Sequence, residues 1–229
     1  MIIVDELKNR ALILNSRPDG YPDESNFKLI EIDIPELNPG EFIVKILWLS
    51  VDPYMRGRMS DKKSYAPSVE IGDVMVGGAV GKIISSRNTE FEVGDLVEGR
   101  FGWQEYAISN GMNARKLTIN ESDISKALGA LGMPGLTAYF GLFSLGRPIP
   151  NDTVVISAAS GAVGAVVGQL AKLSGCKVVG IVGSDPKAMY IKNELNFDYV
   201  INYKKEDVCK RLLEICPNGI DIYFDNVGG

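Results

Sequence analysis

The residues with the most chemical content lie between Val154 and Gly164, where the chain reads Val-Val-Ile-Ser-Ala-Ala-Ser-Gly-Ala-Val-Gly. A buried strand running into a glycine-bearing turn and then a helix presents backbone amides, and the positive end of the helix, to a pyrophosphate. The turn is a variant of the dinucleotide fingerprint. Ala159 stands at the first glycine position, Gly161 lets the backbone approach phosphates, and Gly164 with Ala165 and Gly168 lets the helix pack close to strands. Read without a ligand, the same residues make a tight strand-to-helix turn. The chain contains no histidine, and Cys176, Cys209 and Cys216 lack C-x-x-C spacing. Neither a zinc site nor a disulfide framework is expected from that set, so the chemistry is expected to come from a nucleotide cofactor.

The choice of nucleotide turns on the segment Val182-Gly183-Ser184-Asp185-Pro186-Lys187. An NAD site places an acid near the end of its second strand to hold the ribose 2′-hydroxyl. Asp185 directly precedes a proline suited to the first helical position, so it is expected to be the N-cap, with its carboxylate committed to helix amides. Gly183 then leaves room for a 2′-phosphate, Ser184 can donate to it, and Lys187 can supply charge, unless Lys187 is simply a solvated helix lysine. Tyr203 can add a hydroxyl. The expected cofactor is NADPH.

The elements that must carry these residues change texture along the chain. Up to about residue 120, short β-like runs (Ala11 to Leu14, Lys28 to Ile34, Phe42 to Leu49, Val74 to Ser85, Tyr106 to Ile108) alternate with turn signals such as Asn38-Pro39-Gly40 and Val93-Gly94-Asp95. This predicts an irregular antiparallel barrel or sandwich. A helix from Ser122 to Leu131 is expected to break at Met133-Pro134-Gly135, with a second from Leu136 to Leu145. Strands and helices then alternate: Thr153–Ser157, Ala162–Ser174, Lys177–Val182, Pro186–Leu195, Tyr199–Ile201, Lys205–Ile215 and Asp221–Phe224. That alternation is βαβ winding about a parallel sheet. Only four of the six strands of a complete dinucleotide-binding sheet are accounted for, so the chain is expected to stop inside its fold. The last strand would then keep an open edge that a second copy, in a homodimer, can cover.

Composition narrows the class further. Hydrophobic residues make up 45% and charged residues 23%, which is ordinary for a globular protein. A net charge of −5 and the absence of a basic stripe argue against nucleic acid, and Lys204-Lys205 reads as a solvated helix start. No apolar run approaches the roughly 18 residues needed to span a bilayer, and Met1 to Glu6 lacks a basic leader. With this cysteine usage, the expectation is a cytoplasmic protein with no membrane partner.

Taken together, Val51-Asp52-Pro53-Tyr54-Met55-Arg56, Gly132 to Tyr139, Ala158 to Gly164, Asn202-Tyr203-Lys204 and Tyr223 to Gly229 resemble the prostaglandin reductase, or alkenal double-bond reductase, group. These are zinc-independent medium-chain dehydrogenases/reductases. Asn202 to Lys205 and Cys216-Pro217 resemble most the 15-oxoprostaglandin 13-reductase branch (prostaglandin reductase 2). The resemblance implies an α/β protein: a GroES-like β-rich catalytic domain over 1–125, then a partial Rossmann doubly wound parallel sheet over 126–229, with NADPH in the cleft between them.

It also implies hydride delivery to the β-carbon of an enone, a small-molecule substrate, and protonation at the α-carbon. Carried over, Gly161, Ala162, Val163 and Gly164 would face the pyrophosphate, Lys187 and Tyr203 the 2′-phosphate, and Asn226 the nicotinamide half. Tyr54 would line the substrate cleft. Its own residues allow that, since Asp52-Pro53 makes a stiff turn, and equally allow packing at a domain edge. Phe101 and Trp103 can wall a lipid-like enone or fill a core, and Met133 is open in the same way. The family's tyrosine near the reacting carbonyl falls beyond Gly229, so no catalytic acid is assigned. Two further readings stay open: a quinone oxidoreductase of the same superfamily, and a nucleotide-binding remnant whose catalysis is lost with the missing part.

Overall fold

The computed structural model describes residues 7–64 and 66–228. The leader reading on Met1 to Glu6 and the last glycine of the Tyr223 to Gly229 motif lie outside them. Cα packing divides the chain into two units, one ending at Leu128 and the other starting at Gly129.

The first unit is antiparallel. Strands β1 (Lys8–Leu14) and β2 (Phe27–Asp33) form a hairpin. Strands β3 (Phe42–Leu49), β4 (Ala79–Ser86), β5 (Leu96–Gly99), β6 (Tyr106–Ser109) and β7 (Ala114–Lys116) form a sheet in the order β6-β3-β4-β5-β7. Alternate residues of these strands (Phe42 and Val44, Ala79, Ile83, Val97, Ala107) close one core, in which the Phe42 and Phe91 rings stack 4.6 Å apart. The helix α1 (Tyr54–Arg58) follows the Asp52-Pro53 turn, with the Met55 amide donating to the Asp52 carbonyl at 3.0 Å.

The expected strand from Val74 begins only at Ala79. Residues 74–77 are drawn off to other partners: the Met75 amide donates to Leu12 and the Trp103 amide to the Met75 carbonyl. Apolar content alone cannot distinguish a ladder from such a cross-connection. A 3₁₀ segment, Glu121–Leu128, replaces the expected helix there and buries Ile124 and Ala127 against Val80.

In the second unit Met133-Pro134-Gly135 begins a helix rather than breaking one. The helix α2 (Met133–Tyr139) carries Pro134 at its first turn, where no amide donor is needed, and continues as a π-helical stretch, Phe140–Gly146. Gly135 is required for this start. A Cβ there would sit 1.8 Å from the Ala130 carbonyl oxygen.

Beyond it, β8 (Thr153–Ile156), α3 (Gly164–Leu173), β9 (Lys177–Val182), α4 (Asp185–Asn193), β10 (Tyr199–Asn202), α5 (Val208–Ile215) and β11 (Ile222–Phe224) alternate. The strands are all parallel, in the order β10-β9-β8-β11. Strand β8 is buried throughout because it is covered on both faces. Val154 and Ile156 pack with α2, α3 and Ile191 of α4, while Val155 packs with Val179, Ile201 and Ile215 of α5. Helix α3 lies close in because Gly168 leaves its Cβ position to the Phe197 ring, 1.9 Å away. Leu173, at the C-terminal end of α3, is exposed.

Candidate nucleotide site

The strand order places β8 and β11 side by side, and the chain's connections run to opposite sides of that pair. In such sheets ligands bind outside the carboxyl ends of the strands, at this switch point. A cavity of about 790 Å³ occupies that place. The residue after each strand lines it: Ser157 after β8, Gly183 after β9, Tyr203 after β10 and Asp225 after β11.

One wall is the turn between β8 and α3. Ala158 holds a left-handed backbone, φ 44°, which turns the chain sharply out of the sheet, and Ser160 and Gly161 line the cavity beside it. Gly164 is buried against that bend. A Cβ there would meet the Ala158 oxygen at 2.6 Å and the Ala159 Cα at 2.9 Å. Of the other expected phosphate contacts, Ala162 is exposed and Val163 turns its side chain toward the core, where it packs as the N-cap of α3. Neither lines the cavity with its side chain, so the contribution expected of them falls to their backbones.

The floor is a hydrogen-bonded knot between β8 and β11. The Ser157 hydroxyl donates to Asp225 Oδ1 (2.6 Å), and the Asn226 amide donates back to Ser157 Oγ (2.7 Å). The amides of Val227 and Gly228 donate to the same Asp225 carboxylate at 3.0 and 2.9 Å. Ser157, and then these amides, hold the Asp225 carboxyl below the ordinary aspartate value. Asn226 spends its side-chain amide on the Ser157 carbonyl (3.0 Å).

The far wall is cationic. Lys187 of α4 and Lys204 line it, with Tyr203 and Val208. No ion pair involves either ammonium among the described residues. Gly183 seats Tyr203, since a Cβ at 183 would stand 2.7 Å from the tyrosine oxygen. Ser184, not Asp185, is the N-cap of α4, and it is not among the residues lining the cavity. The expectation that Asp185 caps the helix is therefore corrected. Its Oδ1 accepts from the Asn202 side-chain amide (2.8 Å) and its Oδ2 from the Lys205 ammonium. Lys205, then Asn202, depress the Asp185 carboxyl below its ordinary value. Lys204 and Lys205 do not start a helix, since α5 begins at Val208; both are exposed, Lys204 lining the cavity and Lys205 paired with Asp185.

A larger depression, about 950 Å³, lies at the amino ends of the same strands. Its lysines are already engaged. Lys172 bonds both oxygens of Asp198 (2.8 and 2.9 Å), Lys192 bonds the Asp198 carbonyl (2.7 Å), and Lys177 lies over the Tyr199 ring at 4.8 Å.

The substrate-side candidates separate within the first unit. Tyr54 and Trp103 both pack against Leu14, Met55, Met59 and Met75. Phe101 does not join them. It is 6% exposed in the core between β3, β4, β5 and β6, its ring filling the space that Gly99 leaves, so the expected wall for a substrate loses this member. Met133 is half-exposed at the start of α2, which excludes the core-filler alternative. Among the described residues no three His, Cys, Asp or Glu side chains could hold a metal ion, and no single helix is long and apolar enough to cross a membrane.

Sequence comparison agrees with this architecture. Residues 10–117 match the family described as the N-terminal domain of oxidoreductases, and residues 162–229 match the family described as zinc-binding dehydrogenases. The chain is 46% identical over 222 residues to the NADPH-dependent curcumin reductase of Escherichia coli (strain K12), covering 97% of this chain and 64% of that protein. It is 46% identical over 215 residues to prostaglandin reductase 1 of Rattus norvegicus, covering 92% and 63%. It is 42% identical over 234 residues to the NADP(+)-dependent 2-alkenal reductase of Nicotiana tabacum, covering 99% and 68%. The crystal structure of CurA in complex with NADPH from Vibrio vulnificus superposes with a TM-score of 0.91 at 51% identity, over 96% of this chain and 65% of that one. The chain thus spans just under two thirds of the length of the curcumin reductase. These relatives bear on the reductase group and not on its prostaglandin reductase 2 branch.

Proposed function

Because the chain belongs to the enone and alkenal reductase group of the medium-chain dehydrogenases/reductases, we propose that it serves the NADPH-dependent reduction of the carbon–carbon double bond of α,β-unsaturated ketones and aldehydes. One observation carries the reading. The cavity at the switch point has a glycine-bearing turn on one side and, on the other, a tyrosine hydroxyl with two lysines that make no ion pair among the described residues, while the nearby acid is turned away.

A nucleotide with a pyrophosphate and a 2′-phosphate fits that donor set. Gly161 and the amides leading into α3, those of Ala162, Val163 and Gly164, would hold the pyrophosphate. Lys187 and Lys204, with Tyr203, would hold the 2′-phosphate. The Ser157–Asp225–Asn226 knot fixes the floor and would keep Asn226 beside the nicotinamide half. When bound, NADPH supplies the hydride. The chain's own part is to orient it and to pair its charge in a low-dielectric groove. Tyr54 and Trp103 are the residues of the first unit proposed to face substrate. A zinc-independent reaction is supported by the lack of histidine in the chain. A cytoplasmic location is supported by its three free cysteines.

The test measures binding of NADPH and NADH by calorimetry, then NADPH oxidation with a 15-oxoprostaglandin, a short alkenal and a small quinone. Tight NADPH binding with turnover of an enone or enal bears the reading out. Quinone turnover alone would replace it with a quinone reductase, NADPH binding with no turnover would leave a nucleotide-binding protein, and absence of NADPH binding would end it.

A further inference from the structure

A site for a 2′-phosphate has to be free of competing anions as well as rich in cations, and here an acid stands two residues from its edge. Asp185 opens α4 immediately after Ser184, and Lys187 of the same helix lines the cavity. Left to itself, the Asp185 carboxylate could swing toward Lys187, or toward a ribose 2′-hydroxyl as acids at this position of dinucleotide sites do. Two groups prevent that. The Asn202 side-chain amide donates to Oδ1 at 2.8 Å and the Lys205 ammonium donates to Oδ2, both from the end of the neighbouring strand.

Asn202 is well placed for this restraint because it is itself fixed. It is 6% exposed at the end of β10, its backbone amide donates to Glu206 Oε1 (3.0 Å), and its side-chain oxygen accepts the Lys204 amide (3.2 Å). One buried side chain therefore retains the acid and orients the segment that brings Tyr203 and Lys204 to the cavity.

We infer that Asn202 and Lys205 are positioning residues for cofactor choice: by retaining the Asp185 carboxylate outside the cavity, they leave Lys187 and Lys204 unopposed for a 2′-phosphate. The inference rests on the NADPH reading above and explains how that preference is protected. It is tested by calorimetry on this chain with 2′,5′-ADP and 5′-AMP, which differ only in the phosphate at issue.

The wild type binds 2′,5′-ADP more tightly. Lys205→Met frees the acid and narrows that preference roughly tenfold, the size of one added like charge close to a dianion. Lys205→Arg keeps it. In an Asp185→Asn background, Lys205→Met changes the preference less than about twofold, because there is no carboxylate to release. Asn202→Ala also narrows the preference, but part of that loss persists in the Asp185→Asn background, because Asn202 holds the Lys204 amide as well as the acid. Since a loss of fold weakens both ligands together, the ratio separates positioning from stability. An unchanged ratio in Lys205→Met, or an equal loss in the Asp185→Asn background, overturns the inference while leaving the cofactor reading intact. A wild type with no preference for 2′,5′-ADP removes both.

Discussion

The two ends of the parallel sheet hold similar side chains and use them in opposite ways. At the amino ends, Lys172 and Lys192 converge on Asp198, whose Oδ2 also accepts the Val178 amide at 2.7 Å. The charges cancel locally, and the arrangement ties the loop before β10 to β9 and α3. At the carboxyl ends, the acid Asp185 is retained by Lys205 and Asn202, while Lys187 and Lys204 face the cavity with no carboxylate partner among the described residues. Counting lysines does not separate the two ends, since Lys172, Lys177 and Lys192 stand at one and Lys187, Lys204 and Lys205 at the other. What distinguishes a binding site from a structural cluster is whether an acid already occupies the cations.

Gly164→Val should produce the largest effect, because it damages the one turn that the ligand end needs and the core shares. Its side chain would meet the Ala158 oxygen and the Ala159 Cα, at a cost of about 2–3 kcal/mol in stability with loss of nucleotide binding. Chemical denaturation followed by titration would show both. Lys187→Ala should separate the two ends. NADPH affinity falls roughly 10- to 100-fold, NADH affinity hardly changes, and the melting temperature stays put. Equal loss for both nucleotides would mean that Lys187 does not read the extra phosphate.

Asp198→Asn is the converse experiment. It should lower stability by about 1–2 kcal/mol, because the Lys172 and Val178 donors lose a charged acceptor, and leave nucleotide affinity unchanged. A binding defect there would break the comparison. Acid should have the smallest effect. The Asp185 carboxyl lies below its ordinary 3.8, so its contribution to stability is present above that value and is lost as pH falls through the lower folded-state one. The difference in melting temperature between wild type and Asp185→Asn should stay constant at neutral pH and close only below about pH 4.

Local patterns made much of this legible. The strand at 177–182 follows from an unbroken apolar run, and the turn after Ile156 from its small residues. Other features depended on distant partners. Nothing near Gly135 reveals that a carbonyl five residues earlier excludes a side chain there, so Pro134 reads as a breaker when it is a first-turn residue. Phe101 and Trp103 are two residues apart and look alike in the sequence, yet they enter different clusters, with Gly102 between them holding a left-handed backbone, φ 76°. Asp185 before a proline has the local signature of a cap, and only Asn202 and Lys205, brought alongside by β10, claim its carboxylate instead.

The sequence by itself determined the parallel winding, the glycine-bearing turn and the absence of histidine, because periodicity, backbone freedom and composition are properties of neighbouring residues. Tertiary structure decided which charges are spent. Ser157 and Asp225 are 68 positions apart and meet only because β8 pairs with β11. Asp185 leaves the cavity only because β10 lies next to β9. Charge recognition depends on distances of a few ångströms, and those are set by strand pairing, which no local stretch of this chain specifies.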